Sequence, residues 1–159
     1  MATHIPQPPD LTFETPPRLA ILVSRFNTDV TGGLRDGAVA WLAERHIHDV
    51  DIYDAPGAFE LPIMAQALAR QAKYDGVICV GCVIKGDTAH FEFISLGTTI
   101  GIMNAQLTTG KPISFGVLTT YHNDQAVSRS RDDIHNKGRE AAAACLETIA
   151  FLRQQSENT

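Results

Sequence analysis

The sequence predicts an α/β protein in which a four-stranded parallel sheet lies between two layers of helices, a three-layer α/β/α sandwich. Short apolar runs, rich in β-branched residues, alternate with longer amphipathic segments along the chain. That alternation is typical of right-handed β-α-β crossovers, which make the strands parallel and place helices on both faces of the sheet. The third run, residues 76–84, is apolar throughout, as expected of a central strand covered on both faces.

The first half of the chain supplies three strands and two helices by this pattern. Strands are predicted at residues 18–24 and 51–55, ahead of the run at 76–84. Residues 28–45 are predicted as a helix with the apolar stripe Val30, Leu34, Trp41 and Leu42. A second helix is predicted to begin near Glu60, with apolar residues at helical spacing at Leu61, Met64, Ala65, Leu68 and Ala69.

The second half continues the alternation. A helix is predicted at residues 91–109, with Gly110 as its C-cap, followed by a strand at 112–119 and a short helical stretch at 123–130. The last helix is predicted at residues 137–153. Its inward face is expected to carry Ala142, Cys145, Leu146, Ile149 and Leu152, and its solvent face Glu140, Glu147 and Arg153.

Composition and charge restrict the class of protein. The 159 residues, 44% hydrophobic and 19% charged, fit one globular domain. We expect a flexible, proline-rich N-terminal arm at residues 1–17 and a single domain at 18–159. A formal net charge of -5 provides no basic field, so we expect neither a nucleic-acid nor a membrane partner. Without a signal peptide or a membrane span in the sequence, a cytoplasmic location is expected.

The three cysteines are expected to be buried core thiols. An odd number argues against a disulfide framework. Cys79 and Cys82 form a CxxC, but residues three apart on a strand point to opposite faces of the sheet. Core thiols are therefore favoured over zinc or redox chemistry, and we expect no metal.

Two of the predicted strand ends carry candidate binding residues. In an open parallel sheet the ligand crevice lies beyond the carboxyl ends of the strands. Phe26 follows the first strand and either folds back onto the helix or offers a stacking surface for a planar ring. After the second strand, Gly57 allows the backbone to approach a ligand, and Glu60 either complements a helix dipole or accepts hydrogen bonds from a polyol.

The loop after the third strand is the most informative. The chain passes through Gly86, Asp87 and Thr88 into a helix whose free N–H groups are suited to a phosphate. His90 lies two residues beyond Thr88, either as a structural residue or as a proton-transferring one. Neither a Walker loop nor a GxGxxG fingerprint is present.

Three further residues leave alternatives open. Phe115 lies inside an apolar run, and the default interpretation is a core side chain. Arg129 and Lys137 are either solvated charges or phosphate ligands. Arg131 is a second arginine close to Arg129.

Five segments in a fixed order make the chain similar to a known family. They are Arg25-Phe26-Asn27, PGAFELP at 56–62, VIKGDTAHFEF at 83–93, ISFGVLTT at 113–120 and Asn136-Lys137-Gly138. The chain resembles the 6,7-dimethyl-8-ribityllumazine synthases over nearly everything from residue 18 to the last helix. The resemblance implies a flavodoxin-like fold and an enzyme of riboflavin biosynthesis that works without metal or redox cofactor. The implied reaction condenses 5-amino-6-(D-ribitylamino)uracil with 3,4-dihydroxy-2-butanone 4-phosphate to 6,7-dimethyl-8-ribityllumazine, phosphate and water.

The resemblance also implies a role for each site residue. His90 would transfer protons. The ribitylaminouracil would be held by Phe26, Ala58, Phe59, Glu60, Cys82, Val83, Ile84 and Phe115. The phosphate would be held by Asp87, Thr88, Arg129 and Lys137. Phe115 and Arg129 match residues contributed by a neighbouring subunit. Asp87 places a negative side chain beside the expected phosphate, so binding there must come from backbone N–H groups and the Thr88 hydroxyl.

The resemblance further implies a homo-oligomer. Members of the family form pentamers, and some of these assemble into shells of 60 subunits. The stretch between Arg129 and Asn136 has no insertion of the kind found in relatives that stop at pentamers, which favours the shell. Riboflavin synthase is a candidate partner.

Two other classes of protein are alternatives to a lumazine synthase. A flavin carrier that has lost catalysis is one, although the presence of His90 argues against it. A phospho-receiver domain is the other, and it requires a phosphorylatable aspartate after the third strand, where Val83-Ile84 stands. It also requires an acidic pair after the first strand, where Arg25-Phe26 stands.

Overall fold

A computed structural model describes residues 8–157 of the chain. Residues 1–7 of the expected arm, His4 among them, and the last two residues of the expected domain lie outside the described part. Between residues 8 and 17 the chain forms neither helix nor strand. Leu11 and Phe13 nevertheless pack, partly buried, against the core.

Strands and helices alternate as the apolar pattern predicts. The strands are β1 (Leu19–Ser24), β2 (Val50–Ala55), β3 (Gly76–Ile84) and β4 (Ile113–Thr120). The α-helices are α1 (Thr28–Ala43), α2 (Leu61–Ala69), α3 (His90–Thr109), α4 (Asn123–Ser128) and α5 (Lys137–Glu157), with a 3-10 turn at Ala58–Glu60 before α2. Each predicted element is confirmed to within two residues, except that α5 continues to Glu157. Gly110 ends α3 at a positive φ of 66°, as its predicted capping role requires.

The four strands form one parallel sheet in the order β2-β1-β3-β4. This is the flavodoxin-like order, and it confirms the predicted fold class. The strand β3 lies between β1 and β4, which confirms the central position expected for the most apolar run. Because all strands run the same way, the loops after β1, β2, β3 and β4 emerge at the same edge of the sheet.

Side chains alternate along the strands between two separate cores. Leu19, Ile21 and Val23 of β1 pack with α1 and α5 on one face. Ala20 and Leu22 of the same strand pack with α2 and α3 on the other. The sheet is therefore covered on both sides, which leaves its carboxyl edge as the place for a binding cleft.

All three cysteines are free and buried, and this confirms the prediction of core thiols. Cys79 packs in the α2–α3 core and Cys82 in the α1–α5 core, so the two lie on opposite faces of the sheet. Burial raises the pKa of the Cys82 thiol to about 11 and that of Cys145 to about 12. The thiols therefore stay protonated at neutral pH, as expected of side chains that only pack.

Two side chains expected in the core are exposed instead. Leu152, predicted on the inward face of α5, is 40% exposed, because the core that covers this helix ends at Ile149. Phe115, a core residue by the default reading, is 42% exposed, because β4 is an edge strand.

Arg153, expected on the solvent face of α5, forms an ion pair with Asp75 at 3.0 Å and donates a hydrogen bond to the carbonyl oxygen of Thr15. The end of α5 is thereby tied to the segment that precedes β1. None of the helices among residues 8–157 is long and apolar enough to cross a bilayer.

Candidate active site

A cleft of about 420 Å³ opens at the carboxyl edge of the sheet. It is formed by the loop after β1, the turn after β2, the end of β3 and the first turns of α3. Its lining residues are Phe26, Asn27, Gly57, Ala58, Phe59, Glu60, Cys82, Val83, Ile84, His90 and Ile94. The structure thus brings together eight of the residues singled out in the sequence as catalytic or substrate-binding: Phe26, Ala58, Phe59, Glu60, Cys82, Val83, Ile84 and His90. We call this the Phe26 cleft.

The turn that carries Phe26 is held in place from the neighbouring strand. Asn27 adopts a left-handed backbone conformation (φ 55°, ψ 55°), which asparagine tolerates better than most side chains. Its amide nitrogen donates a hydrogen bond of 3.0 Å to the carbonyl oxygen of Cys82 at the end of β3. Phe26 is 66% exposed, so its ring does not fold back into the core. The ring is instead available at the mouth of the cleft for stacking.

Glu60 lies beside the same ring. It precedes α2 but makes no capping hydrogen bond with its side chain. A methyl group on Gly57 would come within 3.0 Å of a Glu60 carboxylate oxygen and 3.4 Å of the Phe26 ring. The carboxylate and the aromatic ring therefore border the same small space, and the carboxylate lines the cleft.

His90 is the first residue of α3, and its exposed side chain lines the cleft. Its backbone N–H donates a long hydrogen bond of 3.4 Å to the Thr88 hydroxyl. Asp87 and Thr88 are exposed in the loop that leads into the helix and do not line the Phe26 cleft. The positive end of the α3 dipole points at this loop, which favours an anion there.

An ion pair closes the loop between β3 and α3. The Lys85 ammonium lies 3.0 Å from the Glu92 carboxylate and 5.4 Å from the centre of the Tyr121 ring. The hydrogen bond from Lys85 is the main reason that the pKa of Glu92 is lowered. The loop that carries Asp87 and Thr88 is therefore anchored at both of its ends.

The remaining three predicted residues lie in a second cleft, of about 390 Å³, along the edge strand β4. Phe115, Arg129 and Lys137 line it, together with residues of β4 and α5. Lys137 pairs with Glu140 at 2.6 Å, and Arg129 donates to the carbonyl oxygen of Gln125 at 2.8 Å. We call this the Arg129 cleft. Within one chain, these residues do not join the Phe26 cleft.

Two residues that line the Phe26 cleft were not singled out in the sequence. Ile94 follows His90 by four residues, so the helical repeat places both on the same face of α3. The spacing of four residues could therefore have identified Ile94 as a cleft residue from the sequence. Asn27 was recognised only as part of a motif, because its hydrogen bond to Cys82 depends on β3 lying beside β1.

Comparisons with known proteins agree on one family. The family model described as 6,7-dimethyl-8-ribityllumazine synthase matches residues 16–153. A Caulobacter vibrioides protein named 6,7-dimethyl-8-ribityllumazine synthase 1 is 59% identical over 150 residues, which cover 93% of this chain and 98% of that protein. A Syntrophus aciditrophicus protein named 6,7-dimethyl-8-ribityllumazine synthase is 45% identical over 86% of this chain and 90% of its own length. A Salinibacter ruber protein of the same name is 46% identical over 85% of this chain and 88% of its own length.

Proposed function

The chain belongs to the 6,7-dimethyl-8-ribityllumazine synthase family and is therefore a transferase of riboflavin biosynthesis, and we propose that its substrates react in the Phe26 cleft. The reaction joins 5-amino-6-(D-ribitylamino)uracil to 3,4-dihydroxy-2-butanone 4-phosphate and releases phosphate and water. The observation that carries the proposal is that an exposed aromatic ring, a carboxylate and an imidazole line the same cleft.

The pyrimidine substrate binds along the strand ends. Its ring stacks on Phe26, and the backbone groups of Cys82, Val83 and Ile84 meet the edge of the uracil. One lone pair of the Cys82 carbonyl is already used by Asn27, which leaves the other for the substrate. The ribityl chain lies over Ala58 and Phe59, with Glu60 as the acceptor for its hydroxyl groups.

The phosphate of the second substrate lies at the start of α3. The Thr88 hydroxyl and the backbone N–H groups of the loop donate to its oxygens, and the helix dipole favours its negative charge. Asp87 contributes its backbone N–H group, because its carboxylate carries the same sign of charge as the phosphate. A bound phosphate in this position also stabilises the charge of the phosphate that leaves during the reaction.

His90 moves the protons of the reaction. The 5-amino group of the pyrimidine attacks the ketone carbonyl, and water leaves as the imine forms. Elimination of phosphate then leaves an enol, which tautomerises to a new carbonyl at the carbon that carried the 3-hydroxyl group. Attack by the ribitylamino nitrogen on this carbonyl closes the second ring and releases a second water. Each step moves a proton between nitrogen, carbon and oxygen, and the substrate itself supplies the nucleophile, so an imidazole within the cleft is sufficient.

A second copy of the chain completes the site. Phe115, Arg129 and Lys137 lie in the separate Arg129 cleft of each chain, and we propose that a neighbour presents that cleft to the Phe26 cleft. The neighbour's Arg129 then contacts the phosphate, with Lys137 nearby and Phe115 against the heterocycle. Glu140 pairs with Lys137 within the chain at 2.6 Å, so Lys137 must leave that carboxylate before it contacts the phosphate.

An unpartnered apolar row on α3 supports the assembly. Its members are spaced three and four residues apart and are each at least 51% exposed: Phe93, Leu96, Ile100, Met103 and Leu107. Spacings that alternate between three and four are the seam of a helix that packs against other helices. Rows of this size are rarely left in water, so we propose that α3 packs against its copies in a pentamer.

Turnover with both substrates tests the activity directly. Purified protein incubated with both should form a product with the absorbance and fluorescence of 6,7-dimethyl-8-ribityllumazine, and phosphate in equal amount. Tight flavin binding without turnover would instead identify a flavin carrier. Omitting either substrate is the control.

Size-exclusion chromatography with light scattering tests the assembly. We propose that the pentamers form a shell of 60 subunits, since no insertion interrupts the stretch between Arg129 and Asn136. A pentamer mass at high concentration would refute the shell.

We further propose an N-terminal arm at residues 1–17 ahead of a domain at 18–159, a cytoplasmic location and riboflavin synthase as a partner of the assembly.

A further inference from the structure

We infer that Asn136 is a positioning residue for the phosphate end of the site. It holds the segment of residues 129–137 against α1, and that segment carries both Arg129 and Lys137. This inference rests on the proposed function, because it concerns the phosphate that those two side chains would meet.

The Asn136 side chain is fully buried and uses its whole hydrogen-bonding capacity. Its amide nitrogen donates to the carbonyl oxygen of Gly33 in α1 at 3.0 Å and to that of Arg131 at 2.8 Å. Its oxygen accepts from the backbone N–H groups of Gly138 at 2.8 Å and Arg139 at 3.3 Å. One side chain therefore connects α1, the segment and the start of α5.

The two halves of the amide perform different tasks. The oxygen satisfies N–H groups in the first turn of α5, which is ordinary helix capping. The nitrogen does not cap, since both of its acceptors are carbonyl oxygens, one in the segment and one in α1. A residue needed only as a cap would need only the oxygen, and a buried NH₂ group would be costly without these two acceptors.

Close packing against α1 leaves the segment little room to shift. A methyl group at Gly37 would overlap the Asn136 amide, and one at Gly33 would overlap the carbonyl oxygen of Ser130. The absence of side chains at these two positions of α1 allows the approach. Any movement of Asn136 is therefore passed directly to the backbone on either side of it.

The same segment sets the position of both cations. The backbone N–H of Lys137 donates to the carbonyl oxygen of Arg129 at 2.8 Å, which closes the segment into a loop. The side chains of Arg129 and Lys137 line one cleft beside Phe115. Asn136 itself does not line that cleft, so it acts on the phosphate only through its neighbours.

The isosteric variant Asn136→Asp separates the two tasks. The carboxylate still accepts from Gly138 and Arg139, and aspartate is as good a helix cap as asparagine. The second carboxylate oxygen of Asn136→Asp, however, takes the place of the amide nitrogen and faces the carbonyl oxygens of Gly33 and Arg131, to which it cannot donate. We expect the KM for 3,4-dihydroxy-2-butanone 4-phosphate to rise roughly 10- to 100-fold, the effect of displacing binding groups by about 1 Å, while the KM for the ribitylaminouracil changes less than about twofold.

A second variant and a matched control make the test decisive. Gly33→Ala pushes the same segment away from α1 without touching the cap, and alanine favours helix in α1; it should give the same split between the two KM values. Ser130→Ala removes a hydroxyl that donates only to the carbonyl of Val127 and should change neither KM.

Three results would overturn the inference. The first is an unchanged KM for the phosphate substrate in assembled Asn136→Asp and Gly33→Ala. The second is an equal rise in both KM values, which indicates a general loss of structure. The third is failure of both variants to assemble, since that makes Asn136 a folding residue. Failure of the proposed function is a different result, because the wild-type protein would then form no lumazine.

Discussion

The imidazole of His90 stands at the junction of two environments that the proposed reaction needs. On one side is the Phe26 cleft, and on the other is the positive end of α3 with the Thr88 hydroxyl. In the proposed function, a proton donor and acceptor at this junction would reach both a heterocycle stacked on Phe26 and a sugar whose phosphate lies at the helix start. The location of one residue would then link the two substrates.

Replacement of His90 by alanine should lower the rate without affecting the fold. We expect kcat to fall by about 10- to 10⁴-fold, the usual contribution of a proton-transferring residue. The fold should persist because His90 is exposed. Stopped-flow or steady-state absorbance at saturating concentrations of both substrates measures kcat. His48→Ala, an exposed histidine in the connection that precedes β2, should leave kcat unchanged. A normal rate for His90→Ala would remove this residue from the mechanism.

Replacement of Arg129 by alanine should weaken the binding of one substrate only. Hydrogen bonds to a charged group contribute about 1.5–3 kcal/mol, so the KM for the phosphorylated substrate should rise roughly 10- to 100-fold. The KM for the ribitylaminouracil should stay within about twofold. Arg131→Ala, two residues further on and exposed, is the control. If Arg129→Ala leaves both constants unaltered, Arg131 or Lys137 binds the phosphate instead.

At the scale of helices and strands, α3 has two separate tasks. Its first turn presents His90 to the cleft, and Thr98, Ile102 and Ala105 face the core. The opposite side carries the exposed row from Phe93 to Leu107. A helix with apolar residues on both sides is expected to be covered on both sides, which is why we propose that the row lies in an interface.

A charge in the middle of the row should dissociate the assembly. Ile100→Glu would bury a carboxylate between helices, which is strongly unfavourable without a partner. Light scattering should then show a monomer mass, with a circular dichroism spectrum like that of the wild type. Thr108→Glu, exposed on the same helix but outside the row, should assemble normally. An Ile100→Glu protein of unchanged mass would contradict a role of this row in assembly.

The amino ends of β1 and β2 are joined by a charged network remote from the cleft. The Asp51 carboxylate accepts hydrogen bonds from the Tyr74 hydroxyl at 2.5 Å and from Arg18 at 3.0 Å. These two contacts, Tyr74 first, lower the pKa of Asp51 from 3.8 to about 2. Since the pKa in the folded protein lies below that of the unfolded chain, the stabilisation is present above pH 3.8 and is lost as the pH falls towards 2.

Asp51→Asn should therefore remove part of the dependence of stability on acid pH. At neutral pH its Tm should be lower than that of the wild type, and the difference should shrink as the pH falls from about 4 to about 2. Thermal unfolding followed by circular dichroism across this range measures it. Asp54→Asn, exposed on the same strand, is the matched control. A Tm difference that is constant with pH would show that Asp51 does not act through its charge.

The sequence was sufficient to predict which loops meet at the cleft. Phe26, Glu60 and His90 each follow a strand end and Ile84 is the last residue of β3. Parallel strands end at one edge whatever their order. The order was only partly predictable from apolar runs: the uniformly apolar β3 indicated a central strand, but the apolar run at 112–119 did not show that β4 lies at the edge. Phe115 was therefore assigned to the core by default, whereas β4 lies at the edge of the sheet and leaves its ring 42% exposed. The contact of Asn27 with Cys82 depends on the same strand order.

At the scale of the whole molecule, the residues of the proposed site lie in two separate clefts of one chain. The Phe26 cleft has the stacking ring, the carboxylate and the imidazole, and the Arg129 cleft has the cations. Periodicity and motif spacing describe the folding of one chain, so they carry no information on which clefts of two copies face each other. The division of the proposed site between copies came from the family resemblance, and the separation of the two clefts in the structure agrees with it.

Mixing of two impaired variants tests that division most directly. His90→Ala lacks the proton-transferring group and Arg129→Ala lacks the phosphate ligand, so each protein alone should be slow at low concentrations of the phosphorylated substrate. Co-assembled in equal amounts, they should recover about a quarter of the wild-type rate, because about one interface in four then pairs an intact His90 with an intact Arg129 of the next subunit. A rate equal to the mean of the two separate variants would contradict the account and place each active site within a single chain.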